Sequence, residues 1–177
     1  TPQTVTITGV NDDATDGNVA YTILTAPATS SDPNYSSRNA ADVTVTNTDN
    51  DGAGITVSQT VLTTSEAGGT ATFTVKLDSQ PTANVTIGLS SNDTTEGTVS
   101  PASLTFTSSN WSTPQTVTVT GVNDYVMDGN VTYTIVTAPA TSTDPNYSNR
   151  DAADVTATNT DNDAAGITVT PTTGLMT

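Results

Sequence analysis

The sequence predicts an all-β protein, a tandem of β-sandwiches with seven strands per unit, on three observations. Apolar and small polar residues alternate with period two in segment after segment, the pattern of strands buried on one face, and no helical period competes with it. The chain repeats itself: TPQTVTITGVND from Thr1 returns as TPQTVTVTGVND from Thr113, and the 112-residue register then holds without a gap, about 47 of 65 aligned pairs being identical. Prolines such as Pro81, Pro101, Pro114, Pro139 and Pro145 fall between the alternating segments, where a missing N–H does no harm.

A period of this length is a whole domain rather than a solenoid turn. Residues 1–52 read as the back half of a preceding unit, residues 53–163 as one complete unit, and residues 164–177 as the opening of the next. The first residues read as the middle of a repeat, so a segment of a longer chain is expected.

Within the complete unit the first strand is expected at Ile55–Ser58 and the second at Thr70–Leu77. The third follows at Asn84–Leu89, the fourth at Ala102–Thr107 and the fifth at Gln115–Thr120. The last two are Asn130–Val136 and Asp154–Thr158. Alternation then assigns the buried face to Ile55, Val57, Phe73, Val75, Leu77, Val85, Ile87, Leu104, Phe106, Val117, Val119, Val131, Tyr133, Ile135 and Val155. Thr takes the outward positions, because it is β-branched and favours strands while remaining wet.

That patterning overrides what composition alone suggests. Val, Ile, Leu and Phe make up roughly 18% of the chain, and with 18 acidic against 3 basic residues and a formal net charge of -15 this resembles a disordered polypeptide. A chain with few apolar residues still folds when nearly all of them lie on the inner face of a sheet. The acidic surface repels nucleic acid and anionic lipid. No run of 18 apolar residues exists for a membrane span, so no direct membrane insertion is expected. Cysteine and histidine are absent. That removes disulfides, thiolate or imidazole metal sites and the Ser-His-Asp triad.

Seven antiparallel strands that run alternately up and down place four connections at one end of the sandwich. These carry Glu66, then Asn92, Asp93 and Glu96, then Asn123, Asp124 and Asp128, and finally Asp161, Asn162 and Asp163. Clustered carboxylates repel one another unless a hard cation sits among them. Calcium suits this set, because it takes 6 to 8 oxygen ligands in flexible geometry, whereas zinc and copper want the absent Cys or His. Binding with a dissociation constant on the order of 10⁻⁵ to 10⁻³ M is expected of an extracellular site of this kind. The constellation partly recurs in the first copy as Asp12, Asp16, Asp49 and Asp51. A second reading stands beside it: Asp and Asn favour turns, and acidic loops keep a protein soluble.

Four features together carry a family resemblance. They are a Glu shortly before the second strand (Glu66 in TTSEAGGTATFTVKL), LTF at Leu104 leading into QTVTVTGVND, the DGN turn from Asp128 ahead of an aromatic-bearing strand, and the terminal DND at Asp161–Asp163. In that order and spacing the unit resembles a Calx-beta domain, the module of sodium/calcium exchanger regulatory loops and of long bacterial surface proteins. The resemblance implies a two-sheet, immunoglobulin-like Greek-key sandwich binding calcium at its distal loops. By position it points to Glu66, Asp93, Asp124, Asp128, Asp161 and Asp163. The chain departs from the family where Asn123-Asp124 replaces an acidic pair and Val131 replaces a second Glu.

The expected function is therefore a non-enzymatic structural repeat of a secreted or cell-surface protein, a calcium-stiffened stalk or adhesin segment whose partners are neighbouring repeats of the same chain. Alternatives are self-association of such repeats into an extracellular filament, a calcium-responsive regulatory module, and a carbohydrate-binding module using Trp111. The long connection TAPATSTDPNYSNRDAA, with Tyr147, lies at the end opposite the acids. It reads either as a binding loop, since connections this long are often functional, or, as a tandem array requires, as a socket for the preceding unit with Arg150 facing that unit's carboxylates.

Overall fold

The computed structural model describes residues 1–174 and 176, and among these the chain is all-β without a helix. In the first copy β1 (Val19–Ile23) and β2 (Val43–Asn47) form an antiparallel pair, with Val19 opposite Asn47 and Ile23 opposite Val43. Nine strands follow: β3 (Ile55–Val57), β4 (Val61–Ser65), β5 (Thr70–Leu77), β6 (Val85–Ser91), β7 (Gly97–Ser100), β8 (Ser103–Phe106), β9 (Gln115–Gly121), β10 (Val131–Thr137) and β11 (Val155–Thr160). They make two sheets, in the order β4-β11-β10-β6-β8 and β3-β5-β9-β7. The β10–β11 pairing, Val131 opposite Asn159 through Ile135 opposite Val155, repeats the β1–β2 register position for position.

The inner faces of the two sheets enclose one core, which includes Phe73, Val75, Leu77, Val85, Ile87, Phe106, Val117, Val119, Tyr133, Ile135 and Val155. These are residues that period-two alternation assigned inward. Ile55 and Val57 pack against this core while only partly buried, and Val131 is half-buried. Leu62, Leu89, Ala140, Tyr147 and Ala157 join the core beyond the expected set.

The expected seven strands are corrected to nine. β4 and β7 escape a search for apolar alternation because their inward residues are poor markers: Leu62 alternates with a buried Thr64, and β7 turns Gly97 inward. Both are sheet-switching continuations. The chain leaves β3 beside β5, crosses at residues 58–60 and enters the other sheet as β4, parallel to β11. In the same way β7 pairs with β9 and the chain then crosses through Pro101 to become β8 beside β6. Each continuation keeps the direction of the strand before or after it, so the up-and-down alternation is preserved. The connections after β4, β6 and β9 and the exit from β11 all lie at one end.

Candidate metal centre

That end is organised by a buried polar layer just below it. The Thr64 hydroxyl lies 3.1 Å from the Tyr133 hydroxyl and donates to Asn159 Oδ1 at 3.1 Å. Asn159 Nδ2 donates to Val122 O at 2.9 Å and to Glu96 Oε2 at 3.4 Å. Thr64, Tyr133, Asn159 and Glu96 are all buried, so each needs the partners it has. Gly121 closes the layer: a Cβ there would strike the Ser65 carbonyl and Asn159 Oδ1. The loops above are thereby fixed to β4, β9, β10 and β11 at once.

On this layer the structure brings two sets of three carboxylates together, the ligand oxygens within each lying within 4.8 Å of one another: Glu66 with Asp161 and Asp163, and Glu96 with Asp124 and Asp128. Glu66 stands at the β4–β5 turn and is only 4% exposed. Its Oε2 accepts the Asn162 amide at 3.1 Å, and its own amide donates to Thr160 O at 3.2 Å, so the turn is tied to the strand exit. Asp161 accepts the Asp163 amide at 2.7 Å and the Gly129 amide at 2.8 Å. Gly129 has φ of 82°, a conformation that suits glycine and aims its N–H at the carboxylate. Asp124 accepts the Val126 amide at 2.8 Å and so shapes the loop that ends in Asp128.

The electrostatics differ within the first set. The amides of Asp163 and Gly129 hold Asp161 below the ordinary carboxylate range. Glu66 is pulled down by the Asn162 amide, but burial and the charges of Asp161, Asp124 and Asp163 outweigh that and raise it. Asp163 Oδ2 is buried without a hydrogen-bond partner among the described residues. No basic side chain relieves this crowding: the ion pair among the described residues is Lys76–Asp78 at 3.6 Å, and the guanidiniums of Arg38 and Arg150 donate to the Asn34 and Asn146 carbonyls of their own loops.

Of the positions expected from sequence, Glu66, Asp124, Asp128, Asp161 and Asp163 fall in these two sets, and Asp93 stands outside both. Asp93 Oδ1 instead accepts the Thr95 hydroxyl at 2.5 Å and the Thr95 amide at 3.0 Å, which holds its carboxyl below the usual range. Glu96 takes the place expected for it. It is 6% exposed and stands immediately before β7, the strand that alternation missed. Its signal in the sequence was its presence on the same connection. In the first copy Asp12, Asp16, Asp49 and Asp51 line one small cleft of about 30 Å³ but stand outside the two sets. Asp49 accepts the Asp51 and Gly17 amides, as Asp161 accepts those of Asp163 and Gly129. These amides lower Asp49, while burial and the surrounding aspartates raise Asp51.

The opposite end of the complete unit touches the first copy. Gln80 N donates to Asp13 O at 2.8 Å, Thr15 Oγ1 to Ser79 Oγ at 3.0 Å, and Asn146 Nδ2 to Thr15 O at 2.9 Å. The expected role of Arg150 is corrected: it braces its own loop through Asn146 O at 3.0 Å, because the contact is made by the Asp13 and Thr15 carbonyls and the Thr15 hydroxyl of the preceding tip and not by its carboxylates. Trp111 packs, partly buried, against the core, and its carbonyl accepts the Leu77 amide at 2.9 Å.

No family model and no characterised protein matches the chain in sequence. Among solved structures it is similar to the periplasmic chaperone SfaE, at 9% identity over 67% of this chain and 60% of that one, with a TM-score of 0.44. It is similar to domains 4 and 5 of the S-layer protein SbsC, at 23% identity over 68% and 59% of the two chains, with a TM-score of 0.41. A PapD-like domain of human CEP192 is similar at 16% identity over 63% of this chain and 87% of that one, with a TM-score of 0.42. The chain thus spans about three fifths of the first two of these structures.

Proposed function

We propose that the chain is a non-enzymatic structural segment of an extracellular or cell-surface protein, built from Calx-beta-like units in tandem whose acidic ends hold calcium at each junction. The observation that carries this reading is the first carboxylate set: a nearly buried Glu66 facing Asp161 and Asp163, with one carboxylate oxygen buried and unpartnered and no basic side chain paired with the set among the described residues. Such an arrangement is self-repelling as it stands, and an oxygen-seeking divalent ion would relieve it. Glu66, Asp161 and Asp163 would hold one ion, and Glu96, Asp124 and Asp128 offer a second set. Calcium, when bound, would supply positive charge and a shared centre for these oxygens.

The chain's own residues supply the mechanical part. Asp161, Asn162 and Asp163 begin the linker, so any ion they share with Glu66 would tie the linker to the body of the unit. Without it the carboxylates repel, and the Asn162 amide on Glu66 and the Asp161 amide on Asn130 Oδ1 hold the start of the linker against that repulsion. A sugar-binding reading has less support, because Trp111 packs against the core and is only partly exposed.

Thermal unfolding in EDTA, in millimolar calcium and in magnesium tests the proposal. Calcium at 100 times its dissociation constant should stabilise the native state by about 2.7 kcal/mol. Asp161→Asn with Asp163→Asn should remove that gain while leaving the sandwich folded. An unchanged calcium response in the double variant would sink the site assignment.

A further inference from the structure

The loop between the first acidic pair and the glycine turn forms a tip in both copies, with the same backbone. Asp13 and Tyr125 both adopt positive φ, 66° and 68°, and Gly17 and Gly129 both have φ of 82°. Asp12 accepts the Ala14 amide and Asp124 the Val126 amide, at 3.0 and 2.8 Å, and the Asp16 and Asp128 amides close back on Ala14 O and Val126 O at 3.0 and 2.9 Å. What differs is the filling: Asp13-Ala14-Thr15 in one, Tyr125-Val126-Met127 in the other. The first tip is seated on the base of the complete unit. The second exposes three consecutive large apolar side chains, Tyr125 at 85%, Val126 at 54% and Met127 at 60%, on an otherwise strongly acidic molecule.

We infer that Tyr125-Val126-Met127 is the seat for the base of another unit of this same sandwich, formed by that unit's equivalents of Ser79, Gln80 and Asn146. The inference rests on the tandem arrangement proposed above and is independent of calcium. Two of the three hydrogen bonds at the observed junction end on tip carbonyls, Asp13 O and Thr15 O, which any residue supplies. Their counterparts, Tyr125 O and Met127 O, accept no hydrogen bond among the described residues. The third bond joins two side chains, Thr15 and Ser79. Replacing that threonine by methionine strands nothing, because the Ser79 hydroxyl keeps the Tyr147 hydroxyl at 2.9 Å. One base therefore accepts both tips. The linker matches as well, since Asp161-Asn162-Asp163 leads into Gly166-Ile167-Thr168-Val169 over the same number of residues that joins Asp49-Asn50-Asp51 to Gly54-Ile55-Thr56-Val57. The backbone bonds form a common joint, and the side chains of the tip make each joint more polar or more apolar.

The test extends the full chain by a second copy of residues 54–163, joined so that its Gly54 replaces Gly166. This copy carries Met127→Leu, so that the Met127 peptide of the original tip is unique. Oxidation of Met127 by hydrogen peroxide is followed by peptide mass spectrometry in EDTA, which keeps the outcome separate from that of the calcium proposal. In the extended chain Met127 should oxidise about tenfold more slowly than in the 177-residue chain, as for a group reached only through a minor open state. The protection should disappear when the added base carries Gln80→Pro and Asn146→Ala. Equal oxidation with and without the added unit, or protection that survives the altered base, would overturn the inference. A further measurement does not depend on that altered base folding. Tyr125→Asp with Val126→Ala and Met127→Thr in the original tip should leave the added unit's Gln80 amide slow to exchange, and fast exchange there would equally overturn it.

Discussion

The connection after β1 and the connection after β10 have nearly the same sequence and the same internal hydrogen bonds, yet only the second packs into a two-sheet core, since the first copy comprises the β1–β2 pair alone. In the first copy Ala28 N donates to Arg38 O at 2.7 Å, Asn34 N to Asp32 Oδ1 at 2.9 Å and Thr25 N to Asp42 Oδ1 at 2.8 Å. In the second, Ala140 N donates to Arg150 O at 2.8 Å, Asn146 N to Asp144 Oδ1 at 2.9 Å and Thr137 N to Asp154 Oδ1 at 2.8 Å. Even so, Tyr35 is 65% exposed and Tyr147 is 1% exposed. Asx and serine turns build the loop from its own residues. Only a facing β5–β6 connection turns the loop into part of a core, because Ser79 donates its amide to the Tyr147 hydroxyl at 3.1 Å and accepts from it through its carbonyl at 2.7 Å.

The widest separation between the copies should come from these tyrosines. Tyr147→Ala should cost about 3–5 kcal/mol, as other buried aromatic truncations do, whereas Tyr35→Ala should stay within about 0.5 kcal/mol. Urea unfolding followed by Trp111 fluorescence reads both, and similar losses at the two positions would mean that the loop itself, rather than its seat, carries the stability.

A smaller contrast is expected at the glycines of the polar layer. A Cβ at Gly121 would meet the Ser65 carbonyl as well as Asn159, while at Gly9 it would meet only the side chain of Asn47. Backbone cannot step aside as a side chain does. Gly121→Ala should therefore destabilise by about 1–3 kcal/mol, and Gly9→Ala should lower the melting temperature less.

The smallest effect should be the pH dependence of the metal-free protein. Folded Glu66 keeps its proton to higher pH than the unfolded chain does, so stability should fall as pH rises through and above the ordinary glutamate range. Asp161 acts in the opposite sense: its contribution is present above the ordinary aspartate range and is lost as pH falls through its lowered value. Chemical denaturation across a pH series in EDTA should show both limbs. Glu66→Gln should flatten the upper limb, and a limb that persists in that variant would assign the titration elsewhere, Asp51 in the first copy being the other raised carboxyl.

Much of this was legible in the sequence for identifiable reasons. Phe73, Val75 and Leu77, or Val117 and Val119, mark strands because a pleated strand turns alternate side chains to one face. β4 and β7 were not legible, since a buried threonine and an inward glycine do not register as apolar. The acidic end followed from counting reversals, and survived the two missed strands because both run on in the direction of a neighbouring strand. Individual ligand positions were harder. Loops have no period, so nothing in the sequence says that Asp93 folds back on Thr95 while Glu96, three residues later and at the mouth of β7, reaches the buried layer.

By itself, then, the sequence determined the strand faces, the shapes of the loops and the gathering of the acids at one end, because each of these depends on local periodicity, local hydrogen bonding or simple parity. The tertiary structure alone decided where the chain changes sheets, which three carboxylates stand within reach of one another, and whether a given tyrosine or tip is covered. These depend on what another part of the chain places opposite a residue, and neither its type nor its spacing encodes that.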